Sequence, residues 1–139
     1  MKKVKLAATW LLAAAMVAVG VLHFVNPTPF VRIVPAVLPA PLVLVYLSGA
    51  CEIAGGLGLL WARTRTLASW GLVALYVAVF PANVNMAVNR IALGDEPLSD
   101  AAAWGRLPVQ LLLIAWAYWV GRRERPRARS TTDGPGQAP

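Results

Sequence analysis

Four apolar segments dominate this 139-residue chain, and each approaches the length of a membrane-spanning helix. A helix rises about 1.5 Å per residue, so roughly 20 apolar residues cross the hydrocarbon core. The predicted spans cover residues 6–24, 41–61, 67–87 and 105–120. With 58% hydrophobic and 14% charged residues, the chain is too apolar for an ordinary soluble domain. We therefore expect an all-α, multi-pass integral membrane protein, folded as a four-helix bundle.

The basic residues predict how this bundle is oriented. The net charge is +7, but the Lys and Arg residues concentrate at the chain ends and in the short turn "ARTRT". With the N-terminus inside, only Arg32, Arg90 and Arg106 of the 13 lie in outer loops. Positive charge favours the inner side, so both termini should be cytoplasmic. The bilayer explains this charge pattern, and we expect no nucleic-acid partner.

The two ends of the chain allow further expectations. Residues 1–121 form the predicted membrane domain, and the basic residues 122–139 a disordered cytoplasmic tail. The start "MKKVKLAATWLLAAAMVAVG" is also typical of a cleaved signal peptide. Its apolar run continues to Val25, longer than the usual core of about 7–15 residues, which favours a retained span. N-terminal sequencing would distinguish the two interpretations of residues 1–20.

The segment between the first two spans, "NPTPFVRIVPAVLPAP", has five prolines in sixteen residues. Proline restricts itself and the residue before it, so a long regular helix is not expected here. The segment is nevertheless apolar. We expect it to lie on the outer face of the bundle, or to dip into it; the alternative is a plain rigid linker.

One carboxylate, Glu52, lies near the middle of the second span. It is eleven residues from Pro41 and nine from Trp61, which places it roughly 14–16 Å from either end. An ionisable group at this depth costs several kcal/mol and is a functional candidate by default. Ser48 and Gly56 share its helix face, and small residues there favour close helix packing. Glu52 should therefore point into the bundle, as a neutral carboxyl.

Other polar residues lie towards the outer ends of the spans. His23 ends the first span, Asn83 lies late in the third, and Gln110 lies early in the fourth. We expect an outward-facing pocket with Glu52 at its floor. Asn85 is about 200° around the helix from Asn83, so only one of these amides can face the pocket fully. The candidate ligand-pocket residues are Glu52, His23, Asn83, Gln110, Ser48 and Asn85.

Each of these residues also has a structural interpretation. The amides of Asn83, Asn85 and Gln110 could only bridge helices, and a histidine at a span end could simply be interfacial. Glu52 could be a neutral acid that is hydrogen-bonded to a neighbouring helix.

The chain has one cysteine and one histidine, and this limits its chemistry. It cannot form an internal disulfide, a CxxC redox pair, a zinc site or a bis-His haem site by itself. We expect no metal and see no cofactor motif, although a quinone fits an apolar pocket. Cys51 should be a small packing residue.

Several motifs resemble the DoxX-like family of small bacterial four-helix membrane proteins. They are the pair His23–Phe24, the Pro-rich loop, the Ser-Gly-x-x-Glu block that ends at Glu52, and the Pro-Ala-Asn-x-Asn-Met motif of residues 81–86. The resemblance covers roughly residues 20–90. It implies a four-helix bundle with cytoplasmic termini, in the cytoplasmic (inner) membrane of a bacterium. It also implies a link to redox or stress-response complexes.

Three functions follow as hypotheses. The first, which the resemblance favours, is a membrane subunit or accessory protein of a redox or stress-response complex. It would have an oxidoreductase partner and a pocket for a quinone-like or other apolar ligand. The second is an enzyme in which Glu52 and His23 act as acid and base on a lipid-soluble substrate. The third is a small proton-coupled carrier, for which four short helices are few unless the chain forms a homo-oligomer.

Overall fold

The computed structural model describes residues 2–92 and 99–122, and these residues form five helices and no strand. The predicted all-α class is therefore confirmed for this part of the chain. The helices are α1 (Lys2–Val25), α2 (Thr28–Ile33), α3 (Pro41–Leu60), α4 (Arg65–Val88) and α5 (Asp100–Gly121). The predicted disordered tail lies outside the described residues, except for Arg122.

Three of the helices, α1, α3 and α4, are long and apolar enough to cross a membrane. They contain the predicted spans at residues 6–24 and 67–87 and all but the last residue of the one at 41–61. Helix α5 has 22 residues and is long enough, but Arg106 and Gln110 lower its hydropathy. It starts at Asp100, so Arg106, which was assigned to an outer loop, lies inside a helix.

Consecutive long helices pack side by side: α1 on α3, α3 on α4, and α4 on α5. The largest fully buried side chains include Leu12, Leu59, Leu72 and Val120, which meet in one apolar core. Many other apolar side chains are exposed, as expected for helices that face lipid.

Glycines bring the backbones of α1 and α3 into direct contact. A Cβ atom added to Gly49 would lie 2.6 Å from Cβ of His23 and 2.9 Å from the carbonyl oxygen of Gly20. A Cβ atom on Gly20 would in turn lie 2.7 Å from the Gly49 carbonyl oxygen. Small residues permit this approach, and it sets the distance between the side chains that α1 and α3 present to each other.

The helices have two chemically different ends. At one end, which we call the basic end, side chains cap the last carbonyl groups of α3 and α5. Arg65 Nε donates to the Leu59 oxygen at 2.9 Å, and Thr66 Oγ1 donates to the Gly121 oxygen at 3.1 Å. Lys5 Nζ donates to the Arg122 oxygen. These bonds satisfy carbonyls that a helix leaves unpaired at its C-terminus, where positive charge is also favourable.

The Pro-rich segment lies at the opposite end, which we call the α2 end. Its first part forms the short helix α2, and its last residue before α3, Ala40, adopts a left-handed backbone with φ of 50°. The ring of Phe30 stacks on His23 with centroids 3.8 Å apart, and Asn85 Nδ2 donates to the Ile33 oxygen at 2.9 Å. The segment is thus held against α1 and α4.

Candidate functional site

A cavity of about 580 Å³ opens at the α2 end. Residues of α1, α2, the segment that follows it, α3 and α4 line the cavity, and α5 contributes Arg106. Most lining side chains are apolar. The polar and ionisable ones are His23, Ser48, Cys51, Glu52, Asn83 and Arg106. This volume and this mixture of many apolar and few polar groups are typical of small-molecule sites.

Glu52 is the most unusual residue in the cavity wall. It lies near the middle of α3, and only 7% of its surface is exposed. Its Oε2 atom is buried and has no hydrogen-bond partner within the described part of the chain. Leaving a buried polar atom unsatisfied typically costs about 1–3 kcal/mol, so such an atom calls for an explanation.

His23 lies beside Glu52, and its hydrogen bonds explain why the carboxyl remains unsatisfied. Nδ1 of His23 is 2.8 Å from the Val19 carbonyl oxygen and 3.4 Å from Oε2 of Glu52. A carbonyl only accepts, so Nδ1 carries a proton and donates it to Val19. The longer distance leaves Glu52 Oε2 adjacent to the ring but without a good hydrogen bond. Two titratable groups therefore share the cavity wall.

The two remaining predicted residues in the cavity wall are Ser48 and Asn83. Ser48 Oγ donates to the Val45 oxygen of its own helix at 2.9 Å, so its lone pairs remain as acceptors. Asn83 Nδ2 donates to Oε1 of Gln110 at 2.6 Å. The cavity therefore brings together four of the six predicted residues.

The structure differs from the expectation at Gln110 and Asn85, which do not line the cavity. Gln110 is buried, accepts from Asn83, and donates from Nε2 to the Tyr76 oxygen at 2.6 Å. The amide of Asn85 donates to Ile33 and accepts from Asn89. Both side chains are used as bridges, which is the structural interpretation that the sequence also allowed.

Two of the polar and ionisable lining residues were not among the predicted site residues. Cys51 is exposed and lines the cavity instead of serving as a packing residue. Arg106 lies one helical turn before Gln110, and that spacing places the two on one side of α5. This spacing could have identified Arg106 if the residue had been assigned to the fourth span and not to an outer loop.

Metal binding is not indicated by the part of the chain that the structure describes. No group of three or more His, Cys, Asp or Glu side chains there could hold a metal ion. The chemistry available in the cavity is hydrogen bonding, proton exchange at His23 and Glu52, and the positive charge of Arg106.

Comparison with known proteins corrects the expected family. No curated protein and no solved structure matches the chain. A family model described as a domain of unknown function, DUF8561, matches residues 12–121, which include the whole cavity wall. The predicted membership of the DoxX-like family is wrong, because the model that matches is a different one. The chain belongs to the DUF8561 family.

Proposed function

We propose that this protein is a membrane protein that binds an apolar ligand in the α2-end cavity, with Glu52 as its polar anchor. The observation that carries the proposal is the buried Oε2 atom of Glu52, which lacks a partner among the described residues in an otherwise apolar wall. Glu52 lines the cavity, so a ligand hydroxyl or carbonyl that reaches its carboxyl group would give that group a hydrogen-bond partner. A neutral carboxyl can donate one hydrogen bond and accept others, so it suits a quinone-like or other apolar molecule with such a group.

The proposed membrane arrangement is a four-helix bundle in which α5 is the fourth span. Its 22 residues would extend roughly 33 Å, and it packs against α4. Trp104 and Trp119 lie near its two ends, as aromatic residues do at membrane interfaces. Lys5, Arg65 and Arg122 gather at the basic end, which supports placing both termini in the cytoplasm of a bacterium and opening the cavity outward.

The role in a redox or stress-response complex loses its support, since it rested on the family resemblance. The oxidoreductase partner and the homo-oligomer expected from the sequence stay predictions. The proposed ligand binding requires neither partner, because it rests on the cavity and on Glu52 in its wall.

A second candidate function is supported by the contact between His23 and Glu52. Their separation of 3.4 Å would let the pair act as acid and base on a lipid-soluble substrate, or pass a proton during transport. Glu52→Gln separates this role from anchoring, because glutamine keeps the shape and hydrogen bonding of the side chain but cannot ionise.

The test is mass spectrometry of the small molecules that copurify with the protein in mild detergent. If Glu52 anchors a ligand, Glu52→Gln should retain the molecule and Glu52→Ala should lose it. The control is Ser69→Ala, which removes a buried polar group that donates to Ala117 far from the cavity. Equal retention by all variants would contradict the proposal. Retention by Glu52→Gln with loss of a turnover or transport activity would favour the second candidate.

A further inference from the structure

We infer that the ligand carries an acidic head group, which Arg106 binds at the opposite end of the cavity from Glu52. This inference rests on the proposed function and names the class of ligand: an anionic amphiphile with a neutral hydrogen-bonding group along its apolar body.

The depth of Glu52 follows from the packing of α3 against α4. A Cβ atom added to Gly55 would lie 2.6 Å from Cδ2 of Leu72, and one added to Gly58 would lie 2.8 Å from Cβ of Ala68. These contacts show that the two helices run antiparallel. Glu52 lies three residues before Gly55 in the chain. In an antiparallel pair it is therefore level with about Leu75, three residues after Leu72, and both Glu52 and Leu75 line the cavity.

The depth of Arg106 follows from the packing of α4 against α5. Gln110 bonds to both Tyr76 and Asn83, so it is level with the stretch of α4 between them. Arg106 lies one turn closer to the α2 end, level with Pro81 or beyond. The backbones of Glu52 and Arg106 are thus separated by roughly 10 Å along the helix axes.

Among the described residues, no carboxylate pairs with Arg106. Within residues 2–92 and 99–122, Glu52 lies beside His23 and Asp100 pairs with Arg90, so neither carboxyl group is close to Arg106. A guanidinium stays charged and binds carboxylate or phosphate through two parallel hydrogen bonds. An arginine inside a membrane helix commonly marks a ligand path, although its stem can also simply reach towards the interface.

The ligand must match the two ends of the cavity, at Arg106 and at Glu52. Its acidic head would lie against Arg106 near the mouth, and its apolar body would contact side chains such as Leu44 and Val79. Its hydroxyl or carbonyl would reach Glu52 roughly 10 Å deeper. A small water-soluble acid would not fill the apolar wall, and an uncharged apolar molecule would leave Arg106 unused. Both a free fatty acid derivative and a bilayer phospholipid could supply the acidic group.

The test compares two probes that differ in one charge: a medium-chain ω-hydroxy fatty acid and the diol of the same length. Binding is measured by calorimetry with the protein in nanodiscs of zwitterionic lipid. The acid should bind about tenfold more tightly than the diol, because the Arg106 guanidinium binds a charged carboxylate more strongly than a neutral hydroxyl. Arg106→Gln should abolish this preference, because it weakens binding of the acid more than binding of the diol, and Arg106→Lys should restore part of it.

The matched control is Arg90→Gln. It removes another arginine at the α2 end, one that pairs with Asp100 outside the cavity, and it should preserve the preference for the acid. The source of the head group is found by adding anionic phospholipid to the nanodiscs. Competition with the acid probe would identify bilayer lipid as the source, and its absence would identify a free acid.

The two proposals fail in different ways. If both probes bind and Glu52→Ala weakens both, but Arg106→Gln leaves their ratio unchanged, the inference about the head group is overturned and the proposed function stands. If neither probe binds in a manner that depends on Glu52, the proposed function itself is overturned.

Discussion

His23 and Glu52 come from different helices, yet Nδ1 of the histidine lies 3.4 Å from Oε2 of the carboxyl. The distance depends on Gly49, because a Cβ atom at that position would lie 2.6 Å from Cβ of His23. A residue without a side chain thus sets the geometry of the two titratable groups in the cavity.

Gly49→Ala should therefore destabilise the protein by about 1–3 kcal/mol, as overpacking of a helix contact does. It should also move His23 away from Glu52 and weaken ligand binding. The control is Gly71→Ala on α4, where an added Cβ atom meets nothing within 4 Å. There the substitution should be neutral or stabilise by up to about 1 kcal/mol, since alanine favours helices. Thermal unfolding in detergent measures both effects, and equal shifts would contradict the packing described here.

Glu52→Met should stabilise the ligand-free protein while abolishing ligand binding. Methionine is similar in length and has no polar atom that burial would leave unsatisfied, so the gain should be about 1–3 kcal/mol. Ser69→Ala should instead destabilise the protein, because Ser69 Oγ donates a buried hydrogen bond of 2.7 Å to the Ala117 oxygen. Unfolding midpoints of the delipidated variants test this contrast. A destabilised Glu52→Met would mean that the carboxyl already has a partner in the resting protein.

The amide bridge between Asn83 and Gln110 should contribute to stability without selecting the ligand. A double-mutant cycle with Asn83→Ala and Gln110→Met should give a coupling free energy of about 0.6–2 kcal/mol, the range for such bonds between membrane helices. Since Gln110 does not line the cavity, Gln110→Met should copurify with the same small molecules as the wild type. A changed set of molecules would show that the bridge shapes the site.

The segment at the α2 end should be protected from water-soluble reagents where its side chains are half-buried. In a Cys51→Ala background, cysteines at Val31 and Val34, which are half-buried, should react slowly with a charged maleimide. A cysteine at Val37, whose side chain is 89% exposed, should react fast. Similar rates at all three positions would instead indicate a plain linker.

Reporter fusions test the proposed orientation. Reporters at the two termini and at Thr64 should be active in the cytoplasm, and one at Gly94 should be active outside. This follows from the placement of ten of the 13 Lys and Arg residues on one side. A C-terminal reporter that is active outside would remove α5 as a fourth span.

The length of the apolar segments was enough to locate α1, α3 and α4, because a membrane-spanning segment must form its backbone hydrogen bonds within one helix. It was not enough for the start of α5. There Ser99 Oγ accepts from the Ala102 amide, and this capping position was not recognised in the sequence.

The position of each residue along its helix predicted that Glu52, His23, Ser48 and Asn83 lie near one another, and all four line the cavity. Position along a helix does not predict the direction in which a side chain points. Whether Gln110 faces the cavity or a neighbouring helix depends on the rotation of α5 against α4. A single sequence does not contain that angle. Arg106 was missed for a different reason, because it was assigned to an outer loop and not to a helix.

The capped carbonyls of the basic end have a consequence for engineering this chain. Lys5 and Arg65 belong to the set of cations on which the proposed orientation rests, yet each also donates to a carbonyl at the end of a helix. Moving these two charges to the other side in order to invert the protein would therefore also remove two hydrogen bonds that cap helix ends. The charges at Lys5 and Arg65 therefore cannot be altered without also affecting the ends of α3 and α5. Arg63 is exposed in the turn, so its charge can be changed with less effect on the helix ends.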